Sequence, residues 1–253
     1  MTFDFSGKTA LVTGAASGIG AAVAVALAEA GVAKLVLVDI DKDALGAMRM
    51  DCEVATFAGD VADEALWDRI ESECGPLDLA LLNAGIAGEG APIAKMPLSN
   101  WRKVVSVNLD GVFLSLRSAM RLANNGASVV ITGSVAGLKA EQGIGPYGAS
   151  KAAVLHLTKI AAKEAAARRI RVNAIAPGGV DTAIWDGAPF FEDLVVKHQG
   201  DRAGALATLA ESMTPMGRFE TSEEIAGQVL FLLSDAAGTM TGTTLVTDGG
   251  YRL

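Results

Sequence analysis

"KTALVTGAASGIGAAVAVALAEAGVAKLVLVD", residues 8–39, opens the reading of this chain. Two short runs, residues 8–13 and 34–39, are apolar on both faces, as strands buried in the middle of a sheet must be. Between them residues 17–31 carry small and aliphatic side chains at helical spacing, and Gly31 ends the pattern. A strand, a helix and a second buried strand form a parallel crossover unit. The turn that enters the helix holds Gly14, Gly18 and Gly20 with Ser17 and Ile19 among them. Glycines there let the backbone approach a pyrophosphate, whose charge meets the amide groups of the helix N-terminus.

The second strand ends on Asp39, 19 residues beyond Gly20. A carboxylate at that place accepts both hydroxyls of an adenosine ribose and repels a 2′-phosphate, and residues 14–20 contain no Lys or Arg to attract one. NAD is therefore the expected cofactor, in preference to NADP. Asp39 is also compatible with a helix N-cap, since Asp41 and Asp43 follow closely.

The same rhythm continues outward. Further strands are expected at 53–60, 77–85, 127–134, 170–178 and 243–250, separated by helical patterns. The expected fold is α/β: one doubly wound parallel sheet of Rossmann type, with helices on both faces, spanning residues 1–253 as a single dinucleotide-binding domain. Residues 179–216 break the rhythm. They carry Trp185, Phe190, Phe191, Met213 and Met216 after the carboxyl end of a strand, and are expected to form a substrate-binding lid.

Composition excludes several classes. A formal charge of −8 argues against a nucleic-acid partner, which needs clustered cations. The one basic cluster, Arg168, Arg169 and Arg171, falls where a helix is expected to end and is read as compensation of its dipole. Cys52 and Cys74 share no paired spacing, so neither a metal nor a redox couple is indicated. No charged leader followed by an apolar run opens the chain, and Glu29 and Lys34 interrupt its longest apolar candidate. A cytoplasmic protein without a membrane partner is expected.

Farther along, "YGASK" (147–151) sets a phenol and an ammonium four residues apart on one helix face. A free tyrosine titrates near pH ~10. A neighbouring cation favours the phenolate, so Tyr147 is expected to be lowered and to serve as a general acid and base. Together with "TGAASGIG" (13–20), "LNAG" (82–85), Asn108 in "VNLDG", Ser134 in "ITGSVAG", "PGGVDT" (177–182) and "DGG" (248–250), this resembles the short-chain dehydrogenase/reductase family from about residue 6 onward.

The resemblance implies roles that spacing alone does not. Lys151 would also bond the nicotinamide ribose, Ser134 would hold the substrate oxygen beside Tyr147, and Asn108 would anchor a water between Lys151 and solvent. Ile40 would accompany Asp39 at the adenosine, and Asp60 and Val61 would hold adenine, Asp60 being compatible with capping the next helix as well. Asn83, Ala84 and Gly85 would support the cofactor and the sheet. Pro177, Gly178 and Val180 would flank the nicotinamide, with Thr182 on its carboxamide. One departure is Leu82, where the family often has an asparagine, and it bears on packing more than on chemistry. The resemblance would place Val135, Leu138, Gln142, Gly179, Trp185, Phe190 and Met213 around the substrate with Ser134 and Tyr147, and Ala87, Gly88 and Leu253 at its edges.

Three rivals are weaker. A serine hydrolase needs a GxSxG elbow, and "GASKA" (148–152) ends in Ala where the turn needs Gly. Dehydratases and epimerases of related fold carry an added substrate domain, and enoyl reductases a wider Tyr–Lys gap. A non-catalytic dinucleotide sensor or scaffold remains the alternative, though such a protein is free to lose the Tyr–Lys pair. The leading expectation is hydride exchange between NAD(H) and a secondary alcohol or ketone. That substrate is expected to be neutral and moderately bulky, because the pocket residues include no Arg or Lys. The helical stretches 101–124 and 147–167 are more apolar than one buried face requires, and the family resemblance implies a homodimer or homotetramer through them.

Overall fold

The computed structural model describes residues 3–253. Seven parallel strands form one sheet: β1 (Thr9–Thr13), β2 (Lys34–Asp39), β3 (Glu53–Ala58), β4 (Leu77–Leu82), β5 (Ala123–Thr132), β6 (Arg171–Pro177) and β7 (Thr244–Thr247). Their order is β3-β2-β1-β4-β5-β6-β7, so the winding reverses between β1 and β4. Ligands of such sheets bind at the carboxyl ends of the strands on either side of that reversal.

Helices cover both faces. On one side α1 (Gly18–Glu29) and the short α2 (Lys42–Ala47) share a core with the distant α9 (Ser222–Leu233). On the other lie α3 (Glu64–Glu73), α5 (Gly111–Leu122) and α6 (Gly145–Ala165). The strands supply both cores by simple alternation: Leu11, Val36 and Val38 face one way, and Ala10, Val12, Leu35 and Leu37 the other. This is why the strands read as unbroken apolar runs.

Ahead of α5, α4 (Leu98–Val105) runs into one wide turn, Ser106–Asp110, closed by the Gly111 amide donating to the Ser106 carbonyl. That bond spans five residues instead of four, so the turn accommodates one extra residue. Asn108 sits in it, fully buried.

Residues 179–216 hold two helices, α7 (Pro189–Lys197) and α8 (Arg202–Met213), which pack on each other as an arm. The arm has its own small core of Phe191, Ala205, Leu206, Ala210 and Phe219, with Trp185 against it. Trp185 stacks on Phe219 at 5.2 Å with the rings 6° from parallel.

Neither Asp60 nor Asp39 takes the alternative role of a helix cap. α3 is capped by Asp63, whose carboxylate accepts the Ala65 N–H at 3.0 Å, and Asp60 is bonded instead to the Ala62 N–H. Asp39 likewise caps nothing, because Asp41 takes the cap of α2 through the Asp43 and Ala44 amides. The basic cluster does lie where α6 ends, but its side chains serve other helices. Arg168 donates to the Met120 carbonyl (2.7 Å) and the Ala123 carbonyl at the end of α5. Arg171 donates to the carbonyls of Leu232 (2.7 Å), Leu233 (3.0 Å) and Ser234 (3.0 Å), closing α9. Free carbonyls at a helix end carry partial negative charge, and a guanidinium fork satisfies several at once.

Candidate active site

The glycine turn after β1 is built for close approach. Gly14 has φ +64°, and a Cβ there would lie 2.9 Å from Asn83 Nδ2 and 3.0 Å from Ala84 Cα. A Cβ on Gly20 would lie 1.9 Å from the Gly14 carbonyl oxygen. β4 is locked alongside by Thr13, whose hydroxyl oxygen accepts the N–H of Asn83 (2.8 Å) and Ala84 (3.1 Å). Asn83 in turn donates to the Gly14 carbonyl at 3.4 Å and accepts from the Thr132 hydroxyl at 3.1 Å. Asn83 thus ties β1, β4 and β5 together at the sheet edge, despite Leu82 in the preceding position. Ser17 makes no side-chain cap on α1, so the first amides of that helix are left for an anion.

Asp39 faces the same turn. One carboxylate oxygen accepts the Ala16 N–H at 2.9 Å and the other the Asp41 N–H at 3.0 Å. Ile40 beside it is 73 % exposed, whereas Val61 is buried with its carbonyl accepting from the Trp67 indole at 2.8 Å. An uncapped helix start, glycines too crowded for any Cβ and an acidic group at the adjacent strand end together fit a dinucleotide.

Across the reversal the polar groups converge. Lys151 is 3 % exposed, and its ammonium donates to the Thr132 carbonyl at 2.8 Å. Burial pushes it down to about 8. Asn108 is fixed by two bonds with Ile86, accepting its N–H at 2.8 Å and donating to its carbonyl at 2.9 Å, and it donates to the Ser150 hydroxyl at 3.3 Å. A Cβ on Gly85 would sit 3.2 Å from the Asn108 amide oxygen and 3.5 Å from Lys151 Nζ. These three residues therefore share one small space.

Half-buried Tyr147 lies on the first turn of α6 beside Ser134, with Lys151 Nζ 5.7 Å from the centre of its ring. The Ser134 hydroxyl accepts the Ala136 N–H at 3.1 Å. Here the expected lowering of the phenol is overturned. Burial raises Tyr147 above its ordinary value, and the neighbouring Ser134 hydroxyl offsets only part of that. An ammonium that is itself reluctant to stay charged at such depth is a weak counterweight to desolvation.

The structure divides the residues expected around the substrate. Val135 is 3 % exposed and Leu138 is 48 % exposed. Gln142 is on the surface. Trp185 donates from its indole to the Val180 carbonyl at 2.8 Å and turns its face to Phe219, so it anchors the arm. Phe190 meets it edge-on at 6.4 Å and stays 55 % exposed, and Met213 is half-buried beside the arm core. Gly179 lies flat against Phe219, 2.3 Å from ring atoms if it carried a Cβ. Pro177 pairs with Thr247, and the Gly178 amide donates to the Thr247 carbonyl at 2.7 Å, so β7 fixes the start of this loop. Thr182 comes back to the glycine turn, its methyl 3.1 Å from a Cβ built on Gly18. Leu253 is fully exposed.

Two residues bracketing this loop escaped the reading of the sequence. Glu220 bonds through its backbone to Gly179 and Asp181, and Arg202 reaches the loop from α8. Neither belongs to a motif, and only folding brings them near.

A family profile described as "Enoyl-(Acyl carrier protein) reductase" matches residues 14–252. Cis-4-hydroxycyclohexanecarboxylate dehydrogenase of Sinomonas cyclohexanicum is 40% identical, over 98% of this chain and 97% of its own. The chain belongs to the short-chain dehydrogenase/reductase family. Cyclohexanol dehydrogenase of Acinetobacter sp. (strain SE19) is 38% identical, over 99% of this chain and 97% of its own. The crystal structure of carveol dehydrogenase from Mycobacterium avium in complex with NAD superposes with a TM-score of 0.90 at 28% identity, covering 99% of both chains. As a member of the short-chain family this protein is an oxidoreductase that works with a nicotinamide dinucleotide, and these named relatives are alcohol dehydrogenases. Among the described residues no helix is long and apolar enough to cross a membrane, and no cluster of His, Cys, Asp and Glu suits a metal ion.

Proposed function

We propose that this protein is an NAD(H)-dependent enzyme that interconverts a secondary alcohol and a ketone, with Tyr147 as general acid and base. The observation that carries the reading is the Tyr147 phenol on the first turn of α6 beside Ser134, with buried Lys151 one helical turn further on and its ammonium 5.7 Å from the phenol ring centre. The glycine turn and α1 would hold the pyrophosphate, Asp39 and Ile40 the adenosine, and Asp60 and Val61 the adenine. Asn83, Ala84 and Gly85 would line the cofactor, and Pro177, Gly178, Val180 and Thr182 its nicotinamide end. The bound dinucleotide supplies the hydride donor or acceptor and, when oxidised, a positive charge near the phenol.

The chain's own groups do the rest. Ser134 and Tyr147 hold the substrate oxygen between two hydroxyls, which orients the reacting carbon. The raised phenol is fully protonated at neutral pH, so it starts as the donor that ketone reduction needs. Lys151, titrating near 8, can pass a proton toward the phenol at neutral pH, and Asn108 would keep a water beside it. The Asp39 carboxylate supports NAD over NADP by repelling a further phosphate.

The substrate we infer is neutral and moderately bulky. Lys139, five residues from Ser134, is already held by the Tyr251 carbonyl (3.0 Å) and Glu141 (3.4 Å), and lies over the Tyr251 ring at 4.1 Å. Its charge is thus already matched by a neighbouring carboxylate. Residues 179–216 would act as the substrate-binding arm of a single domain. Exposed Trp101, Phe113 and Ile160 on α4, α5 and α6 support a homodimer or homotetramer through those helices. Two free thiols, Cys52 and Cys74, favour a reducing, cytoplasmic setting.

The experiment is NADH and NADPH oxidation with neutral and anionic cyclic ketones, run on the native protein and on Tyr147→Phe. Turnover of a neutral ketone with NADH, reduced about a thousandfold or more in the variant, is expected. Binding of NADH with no turnover of any ketone would overturn the reading in favour of a dinucleotide sensor, and a fully active variant would overturn Tyr147 as the acid and base.

A further inference from the structure

Arg202 is the first residue of α8, just after Asp201, which caps the helix by accepting the Gly204 N–H at 3.0 Å. Its guanidinium leaves the helix and reaches the loop that follows β6. There Nη1 donates to the Asp181 carboxylate at 2.9 Å, Nη2 to the Thr182 carbonyl at 2.9 Å and Nε to the Asp186 carboxylate at 2.9 Å. The same group lies 5.7 Å from the centre of the Phe191 ring. One planar fork thus satisfies three acceptors from a segment that is 16 to 21 residues distant in sequence.

The loop is held from its other side as well. Glu220 donates its N–H to the Gly179 carbonyl at 3.1 Å and accepts the Asp181 N–H at 3.0 Å. Between these grips Thr182 is pressed toward Gly18, at the helix start where a pyrophosphate would sit. The Glu220 grip is backbone, an isolated parallel bridge to Val180 just beyond β6. Trp185 ties the end of this loop to the arm by packing, and the Arg202 grip is the polar link from α8 to Asp181 and Thr182.

We propose that Arg202 is a positioning residue for the nicotinamide end of the dinucleotide site, holding Thr182 against the glycine turn and making the arm and that loop move as one body. The proposal rests on the reading of Thr182 as the contact to the carboxamide. A single exposed ion pair contributes little. Three donors fixed in one plane lose less freedom per bond, and they act on a backbone carbonyl beside the functional side chain.

The test compares NADH with ADP-ribose, which shares the adenosine and pyrophosphate but lacks the nicotinamide. In Arg202→Ala, NADH binding measured by calorimetry weakens roughly tenfold, equivalent to about 1.4 kcal/mol, while ADP-ribose stays within about twofold. Arg202→Lys, a point charge that can reach one acceptor, falls between the two. Amide exchange of Thr182 and Ile184 quickens in Arg202→Ala without any dinucleotide present. If Arg202→Ala does not fold, Asp181→Ala combined with Asp186→Ala removes two of the three anchors without touching α8, and the same ratio is read.

Thr182→Val is the control that separates the two claims. A changed NADH to ADP-ribose ratio in Thr182→Val but not in Arg202→Ala overturns the role of Arg202 and leaves the site reading intact. An unchanged ratio in both shows that the Thr182 assignment itself is wrong. Equal weakening of both ligands in Arg202→Ala reduces the residue to general stability and also overturns the proposal.

Discussion

Replacing Lys151 with Met should stabilise the protein at neutral pH, by an amount that fades as the pH rises. The ammonium is 3 % exposed and has one protein acceptor, the Thr132 carbonyl. Burial lowers it from 10.5 to about 8. At about 1.4 kcal/mol per pH unit, the gap corresponds to roughly 3 kcal/mol of destabilisation below pH 8. Because the folded pKa lies under the unfolded one, the unfolded chain binds more protons between pH 8 and 10.5, so stability from this group rises across that window. Methionine keeps the length of the side chain and removes the charge, at the cost of one hydrogen bond worth about 1 kcal/mol. Urea unfolding of native and variant protein at pH 7, 8.5 and 10 is the assay. The Met variant should lead by about 2 kcal/mol at pH 7, and the lead should be gone by pH 10. Tyr147, raised in the folded protein, costs stability only as the pH climbs through the ordinary phenol value of about 10, so it enters at the last point alone. A difference that stays constant from pH 7 to pH 10 would refute the argument that Lys151 is desolvated.

Two further outcomes follow from crowding and from capping. Gly20→Ala places a methyl 1.9 Å from the Gly14 carbonyl oxygen, so the turn must open. NADH affinity, followed by fluorescence titration, should drop at least tenfold, and an unchanged value would show that the turn is not the pyrophosphate site. Arg171→Met strips three carbonyl partners from the end of α9. It should cost about 2–3 kcal/mol in urea unfolding and leave NADH affinity unaltered, since Arg171 starts β6, at the end of the sheet opposite the carboxyl edge where ligands bind. A loss under 0.5 kcal/mol would mean that solvent satisfies those carbonyls equally well.

Much of the architecture was legible because its causes are local. The doubly apolar runs become β1, β2 and β4 within a residue or so at their starts, and the glycines of the first turn sit where only glycine fits. Asp39 ends β2 as expected, and Tyr147 and Lys151 share the start of α6. What failed depends on depth and on distant partners. Spacing placed an ammonium near the Tyr147 phenol but did not show how little water reaches either group, so the direction of the phenol shift came out wrong. Arg168 and Arg171 read as one terminal cluster, while their actual partners lie on α5 and α9, some 45 to 63 residues away. The arm was recognisable as an interruption, but its pairing of α7 with α8 depends on Phe191, Phe219 and Trp185 finding one another across a long stretch of chain. Asp60 and Asp63 both suit a cap, and only the backbone geometry after β3 chooses Asp63.

The wide turn at Ser106–Asp110 sets the phase of everything after it. An α-helix rotates about 100° per residue, so one additional residue held in that turn decides which side of α5 meets the sheet. Deleting a single residue from 106–110 would let the helix close into a regular, locally better ladder. Val112, Leu116 and Ala119, now in the core, would then swing by more than a quarter of a turn toward water. A shorter, more regular helix at this point would be incompatible with the rest of the molecule. Any alignment of this segment against an uninterrupted helix must therefore carry a one-residue gap, and that gap falls beside Asn108.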